Sequence, residues 1–138
     1  MAQIDENSCI LIADDIQTTR HFIIRLLQDL GYTNFLEASD GEDAWKKLKN
    51  EANNIKIFLC DWNMPKINGL ELLKKIKEDP KLKDLPFIMV TAESDLEHTT
   101  AAILNGASGY INKPFDNHVL MATLNQTIKR YNQAAEKK

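Results

Sequence analysis

Five side chains that could bind a metal ion or take part in catalysis follow apolar runs of this sequence, each where a run ends. They are Asp14 and Asp15 after the first run, Asp61 after the third, Thr91 at the end of the fourth and Lys113 just after the fifth. Clustered carboxylates repel one another and raise each other's pKa values unless a cation lies among them. Oxygen ligands without a thiolate or a histidine cluster favour a hard ion, Mg²⁺ more than Ca²⁺. The pattern therefore indicates a magnesium site.

A site of this kind is suited to phosphoryl chemistry, because Mg²⁺ held by a few carboxylates keeps positions open for water and phosphate oxygens. A carboxylate can itself be the nucleophile and form an aspartyl phosphate. Lys113 and the metal would then neutralise the equatorial oxygens, and the Thr91 hydroxyl would donate to one of them. Each feature alone has an ordinary explanation as a helix cap, a packing residue or a turn. Their coincidence at one sheet edge favours the functional interpretation.

The elements that must position these residues are strands alternating with helices. Continuous apolar runs at residues 8–13, 55–60 and 86–91 predict strands that are buried on both faces. Weaker strand patterns lie at 34–38 and 108–112. Apolar residues recur at helical spacing after each strand, which predicts five helices. The polar residues from Asn132 onward are expected to fray.

This alternation predicts an α/β fold, a single (βα)5 domain over residues 1–138 with a central five-stranded parallel sheet and helices on both faces. The flavodoxin-like strand order 2-1-3-4-5 is the simplest candidate. Ligands bind beyond the carboxyl ends of the strands in such a sheet. The five side chains should therefore meet at one edge.

Composition excludes several classes of protein. Seventeen Lys and Arg against twenty Asp and Glu give a net charge of −3, so the chain lacks the positive field of a nucleic-acid-binding protein. We find no signal peptide and no apolar stretch of membrane-spanning length, and we expect a cytoplasmic protein without a membrane partner. Cys9 and Cys60 lie inside apolar runs, which indicates buried, reduced thiols. A glycine-rich nucleotide-binding loop is absent from the sequence.

The motifs around these residues resemble the receiver domain of two-component response regulators, in particular the stand-alone chemotaxis regulators of the CheY type. The matching stretches are residues 13–15, 61–65, 68–73, 90–93, 106–110 and 113–115. The resemblance covers the chain from about residue 8 to the last helix. It implies a phosphorylation-gated signalling module without an output domain, not an enzyme that turns over a substrate. Its only chemistry would be its own phosphorylation and dephosphorylation.

The resemblance also implies roles for single residues. Asp61 resembles the phosphoacceptor. Asp14 and Asp15 resemble the acidic pair that binds Mg²⁺ together with Asp61 and the backbone carbonyl of Asn63. Lys113 resembles the lysine that pairs with the phosphate, and its bond to the following proline is expected to be cis.

Four residues resemble the switch and timing positions of the family. Thr91 matches the switch hydroxyl, and Tyr110 matches the aromatic residue that turns inward when Thr91 moves to the phosphate. Asn63 and Glu93 lie where the family tunes access of the hydrolytic water. Their pairing is similar to the chemotaxis type, which implies a short-lived phosphoryl group that the protein removes by itself.

The partners implied are a CheA-like histidine kinase as phosphodonor and a target on the face of helix four, strand five and helix five. The flagellar motor switch is the candidate target, a phosphatase is a further candidate partner, and a monomer is expected. Residues 94–98 read SDLEH and are acidic, where the chemotaxis type has a basic start to helix four. A reversed charge at the rim of an interface changes partner choice and association rate more than fold.

Three alternatives stay open at this point. The first is a phosphate sink or relay receiver that contacts no motor. The second is a phosphatase of the haloacid dehalogenase type, which would carry an aspartate where Asn63 stands, two residues after the nucleophile. The third is a flavodoxin-type carrier, which would need a loop of small hydroxyl residues in place of Asp14 and Asp15. Trp62 is expected to be partly exposed, and His21, His98 and His118 are expected to face solvent.

Overall fold

The apolar runs form strands, and the segments of helical period form helices, in strict alternation. The computed structural model describes residues 3–136, and everything below concerns that part of the chain. The elements are β1 Cys9–Ala13, α1 Gln17–Asp29, β2 Phe35–Ala38, α2 Gly41–Asn50, β3 Ile55–Cys60, α3 Gly69–Glu78, β4 Phe87–Thr91, α4 Leu96–Leu104, β5 Gly109–Asn112 and α5 Asn117–Glu136. Each predicted strand is present, with bounds that differ by at most one residue.

All strand pairs are parallel, and the sheet order is β2-β1-β3-β4-β5, as predicted. The register aligns the ends of β1, β2 and β3 with one another and the end of β4 with that of β5. Ala13 pairs with Cys60, and Thr91 pairs with Asn112. The residues that follow β1, β3 and β5 therefore leave the sheet at the same edge.

The sheet is covered on both faces, which explains why its central strands are apolar throughout. One core contains Leu11 and Phe58 of the sheet, packed against α2, α3 and α4. The other contains Ile10 and Ile57, the neighbours of those residues in sequence, packed against α1 and α5. Successive side chains of a strand point to opposite faces, so β1 and β3 contribute to both cores.

Local sequence signals set where the helices begin and end. Asp40 caps α2, because its carboxylate accepts a hydrogen bond of 2.7 Å from the backbone N–H of Asp43. Asn68 and Glu71 form a reciprocal capping box at the start of α3. Gly31 follows α1 with φ of +103°, a left-handed conformation that ends a helix at little cost only with glycine.

The last helix is longer than predicted. Residues Asn132–Glu136 continue α5 in helical form, so the prediction that they fray is wrong, while residues 137 and 138 lie outside the described part. The side chain of Asn132 accepts a bond of 2.8 Å from the backbone N–H of Ile4 and donates one of 3.2 Å to its carbonyl. Ile4 is buried, so the N-terminal segment docks on the end of α5 and stabilises it. Neither this helix nor any other among residues 3–136 is long and apolar enough to cross a membrane.

Candidate functional site

The carboxyl ends of β1 and β3 bring three carboxylates together. Asp14, Asp15 and Asp61 each offer an oxygen atom, and these atoms lie within 4.8 Å of one another. Asp14 is 1% exposed and Asp61 is also buried, whereas Asp15 faces solvent. The cluster therefore has a closed side, within the sheet edge, and an open side through which a ligand can enter.

Lys113 supplies the positive charge of this cluster. Its Nζ lies 2.7 Å from Asp14 Oδ2 and 3.4 Å from Asp61 Oδ2, and its side chain is 20% exposed. The lysine follows β5, and its peptide bond to Pro114 is cis, as the resemblance implies. Buried carboxylates left without a partner are strongly unfavourable, so Lys113 is needed for the two aspartates to be charged together.

Asp61 is held in one orientation. Its Oδ1 accepts a bond of 2.7 Å from the backbone N–H of Trp62, and the carboxylate forms a side-chain hydrogen bond with Thr91. Burial raises the pKa of Asp61, and the nearby charge of Asp14 adds to this, although Lys113 and the two hydrogen bonds oppose it. The pKa of the preceding Cys60 thiol is raised well above its usual value, chiefly by burial. Cys60 and Cys9 are both buried free thiols, as expected.

The raised pKa of Asp61 predicts that Asp61→Asn stabilises the protein at neutral pH without divalent cations. A carboxyl whose pKa is higher in the folded state binds its proton more tightly there, so stability is lost as pH rises from the ordinary range through the raised pKa. Asparagine is uncharged and avoids this loss. We expect urea unfolding at pH 7 to give a gain of about 1 kcal/mol, the scale of one poorly compensated buried polar group.

The gain should shrink as the pH falls below the raised pKa, where Asp61 of the wild type is protonated. Added Mg²⁺ should reduce it as well, since a ligand that binds only the folded wild type stabilises that form. A variant less stable than the wild type at pH 7 in EDTA would contradict the prediction.

The loop between β3 and α3 follows a tight path beside Asp61. A Cβ atom at Gly69 would lie 2.4 Å from the Asp61 carbonyl oxygen, so only glycine fits there. The N–H of Gly69 donates a bond of 2.7 Å to the carbonyl of Trp62. The loop leaves Asn63 exposed, and its Nδ2 donates a bond of 2.7 Å to Glu93 Oε1. Asn63 and Glu93, which the family resemblance pairs, are therefore in direct contact.

Glu93 also connects Thr91 to Tyr110 through its backbone. Its N–H donates a bond of 3.3 Å to Thr91 Oγ1, and its carbonyl accepts bonds from the Tyr110 hydroxyl and, at 3.2 Å, from Asn112 Nδ2. Thr91 is buried and Tyr110 is half-buried. Burial is the main cause that raises the pKa of Tyr110, which keeps its hydroxyl protonated as a donor. A movement of Thr91 would act on Tyr110 through this shared residue.

Sequence reasoning missed one contributor and misjudged two others. The missed residue is Arg20, in the first turn of α1 after the acidic pair. Its guanidinium donates a bond of 2.7 Å to the Asp14 carbonyl and one of 3.1 Å to the Glu37 carboxylate. Trp62 is 8% exposed, so the prediction of partial exposure is wrong. His98 covers it, with ring centroids 4.6 Å apart, and His98 is therefore only partly solvent-facing. His21 and His118 face solvent, as expected.

The donor set suits a magnesium ion. Three carboxylates from two loops provide hard oxygen ligands, and the exposed Asp15 leaves room for water on the open side. A divalent cation bound here would offset the repulsion between Asp61 and the neighbouring carboxylates. The hydrogen bond from Lys113 to Asp14 competes with that role, because it occupies one carboxylate oxygen.

Comparison with known proteins identifies the family. A model described as the response regulator receiver domain matches residues 10–125. The chain belongs to this family. The receiver domain prediction is thereby confirmed, and so is the flavodoxin-like fold with its 2-1-3-4-5 sheet.

The relatives of this receiver domain include chemotaxis proteins. The chain is 42% identical over 123 residues to chemotaxis protein CheY of Pseudomonas aeruginosa, covering 89% of this chain and 98% of that protein. It is 42% identical over 115 residues to chemotaxis protein CheY1 of Helicobacter pylori, covering 83% and 92%. It is therefore a signalling receiver of the CheY type rather than a flavodoxin-type carrier.

Solved structures agree with this placement. The chemotaxis response regulator CheY4 of Vibrio cholerae superimposes with a TM-score of 0.79 at 30% identity, covering 88% of this chain and 98% of that one. The structure of a CheX–CheY–BeF3–Mg²⁺ complex from Borrelia burgdorferi includes a chain with a TM-score of 0.80 at 30% identity, covering 85% and 86%.

Proposed function

We propose that this receiver domain is a phosphorylation-gated switch that accepts a phosphoryl group on Asp61. The observation that carries the proposal is the surroundings of Asp61, a buried carboxylate 3.4 Å from the Lys113 ammonium and beside two further carboxylates. The carboxylate is oriented by the Trp62 N–H at Oδ1, and its other oxygen, Oδ2, lies toward the lysine. Such a nucleophile needs a positive environment for the incoming phosphoryl group, and the lysine with a metal would supply it.

The donor in this proposal is a phosphohistidine of a CheA-like kinase. A carboxylate oxygen of Asp61 bonds to phosphorus as the phosphorus–nitrogen bond breaks, and the released imidazole takes a proton from solvent. Lys113 and the Thr91 hydroxyl bind the phosphoryl oxygens as negative charge spreads over them. Asp14, Asp15, Asp61 and the backbone carbonyl of Asn63 would hold Mg²⁺, which when bound neutralises part of that charge.

Phosphorylation would switch the domain through Thr91. The phosphoryl group adds close to two negative charges and three acceptor oxygens beside its hydroxyl. Movement of Thr91 toward them would break its contact with the Glu93 N–H and so release the Glu93 backbone, whose carbonyl accepts the bond from the Tyr110 hydroxyl. Tyr110 would then turn inward, and the populations of two existing arrangements would shift.

The surface that would read this change is the face formed by α4, β5 and the first half of α5. It carries large exposed apolar side chains, among them Leu96 at 81% and Leu104 at 80% exposure. Unpartnered apolar surface of this kind marks an interaction site. We propose that this face binds a target protein, with the flagellar motor switch as the candidate. Asp95 and Glu97 at the start of α4 favour a target with basic residues at the matching rim.

A second candidate function is a phosphate sink or relay receiver that drains the kinase without contacting a motor. The observation that favours it is the same acidic start of α4, since a motor protein that recognises the basic start of helix four in the chemotaxis type would not bind Asp95 and Glu97. An auxiliary partner comparable to CheX, which a related CheY binds in a solved complex, is compatible with both candidates.

Tryptophan fluorescence tests the proposed function directly. Trp62 follows Asp61 and is buried against His98, so its emission should respond to events at the site. The chain has a second tryptophan, and the Trp45→Phe variant isolates the signal of Trp62. We expect one saturable change with Mg²⁺ and a second with beryllium fluoride, a stable mimic of the phosphoryl group. No response to either would contradict the proposal and leave a receiver fold used as a constitutive binding module.

A further inference from the structure

One carboxylate bridges the loop after Asp61 and the first turn of α4. Glu93 Oε1 accepts the 2.7 Å bond from Asn63 Nδ2, and its other oxygen, Oε2, lies 3.8 Å from His98 Nε2. The Glu93 side chain is 36% exposed, so these two contacts, rather than burial, hold it in place. Its position therefore depends on the partner at each end.

His98 is itself held by its surroundings. Its Nδ1 is in contact with the Asp95 carboxylate, which also caps α4 by accepting a bond of 3.3 Å from the His98 backbone N–H. The ring packs edge to face on Trp62 at an interplanar angle of 68°. Each ring nitrogen thus faces a carboxylate, and the ring cannot leave Glu93 without losing contact with Asp95 and Trp62. The imidazole is a fixed anchor for the Glu93 side chain.

The anchored Glu93 side chain would affect how fast water removes the proposed phosphoryl group from Asp61. In hydrolysis, the oxygen of water bonds to phosphorus as the bond to the Asp61 oxygen breaks. The products are inorganic phosphate and the free carboxylate, and the protons of the water pass to phosphate and solvent. The water must approach from the side opposite Asp61, and the family resemblance implies that Asn63 and Glu93 lie beside that approach. A Glu93 carboxylate held across Asn63 narrows the path of the water. It also places negative charge next to the anionic phosphoryl group.

We propose that His98 is a positioning residue that holds Glu93 across Asn63 and so slows loss of the phosphoryl group. The inference rests on the proposed function. It adds a residue outside the carboxylate cluster that sets the lifetime of the aspartyl phosphate. His98 touches neither the acceptor nor the carboxylates around it and acts only through Glu93.

The test measures the lifetime of the aspartyl phosphate. The protein is phosphorylated with phosphoramidate, the donor is removed, and loss of the acid-stable, base-labile label is followed at constant Mg²⁺. We expect His98→Ala to increase the rate of loss about fivefold, the size that loss of one polar contact supports. His98→Gln retains a nitrogen donor at nearly the position of Nε2 and should restore a rate near that of the wild type. His118→Ala, which removes an exposed histidine of α5, is the matched control and should leave the rate unchanged.

The decisive comparison uses Glu93→Ala. This variant should accelerate loss of the label by itself, and His98→Ala should add nothing in its background, because the contact through which His98 acts is gone. An unchanged rate in His98→Ala would overturn the proposal, and so would an equal effect of that change with and without Glu93. If His98→Ala does not fold, His98→Gln and Glu93→Ala decide the matter, and a wild-type rate in Glu93→Ala overturns it.

Failure of the proposed function has a different signature. In that case the wild type itself takes up no label from phosphoramidate and shows no change with beryllium fluoride, and the inference about His98 falls with it. Normal labelling of the wild type and of Glu93→Ala with identical lifetimes contradicts only the role of His98.

Discussion

Replacing Asp61 by asparagine is expected to lower phosphoryl transfer to this protein by more than about 10³-fold, as loss of a nucleophile does in other covalent reactions. The amide has nearly the shape of the carboxylate and can still accept the bond from the Trp62 N–H, so the fold should be kept. It lacks the anionic oxygen that would attack phosphorus. The measurement is incorporation of labelled phosphate from a phosphorylated histidine kinase or from phosphoramidate.

Asp29→Asn is the matched control, because it makes the same chemical change on an exposed residue at the end of α1. It should incorporate label as the wild type does. Normal incorporation by Asp61→Asn would mean that another carboxylate is the acceptor. Asp15 would then be the first candidate, since it is the exposed member of the cluster, and mapping of the labelled residue would decide.

Removing the charge of Lys113 should slow phosphoryl transfer without weakening Mg²⁺ binding. The Lys113 Nζ lies between Asp14 and Asp61, 2.7 Å from the carboxylate of the first and 3.4 Å from that of the second. Lys113→Met keeps much of the side-chain volume but cannot stabilise the phosphoryl oxygens. We expect transfer to fall about 10²- to 10³-fold, the usual effect of losing one preorganised electrostatic partner.

Mg²⁺ should bind Lys113→Met at least as tightly as the wild type. The 2.7 Å bond to Asp14 no longer competes for a carboxylate oxygen, and a more negative cluster attracts a cation more strongly. Fluorescence titration of Trp62 with Mg²⁺ measures this affinity in the same preparation. Lys129→Met, on the exposed side of α5, is the control for charge alone. Transfer at the wild-type rate, or weaker Mg²⁺ binding, would contradict the role given to Lys113.

The fold was predictable because its signals are local. A short, mainly apolar run such as residues 55–60, rich in β-branched and aromatic residues, favours a strand that is buried on both faces of a sheet, and the structure places β3 there, with α3 beginning at the Asn68 cap. Alternation of such runs with helices permits few topologies, and the observed strand order is the simplest of them. The end of α5 was not predictable in this way. Asn132 is a polar residue in a polar stretch, and that turn is held by bonds to the distant N-terminal segment, between Asn132 and Ile4 and between Gln3 and Glu136.

The sequence by itself determined which residues meet at the site, because parallel strands all end at one edge and Asp14, Asp61 and Lys113 each follow a strand end. It could not determine contacts between loops, since their paths depend on packing between elements that are far apart in the chain. Burial of Trp62 under His98, and the bridge from Asn63 through Glu93 to His98, exist only because α4 begins beside the loop after β3. Local patterns specify strands, helices and caps, whereas distances between side chains from different loops follow from the packed tertiary structure.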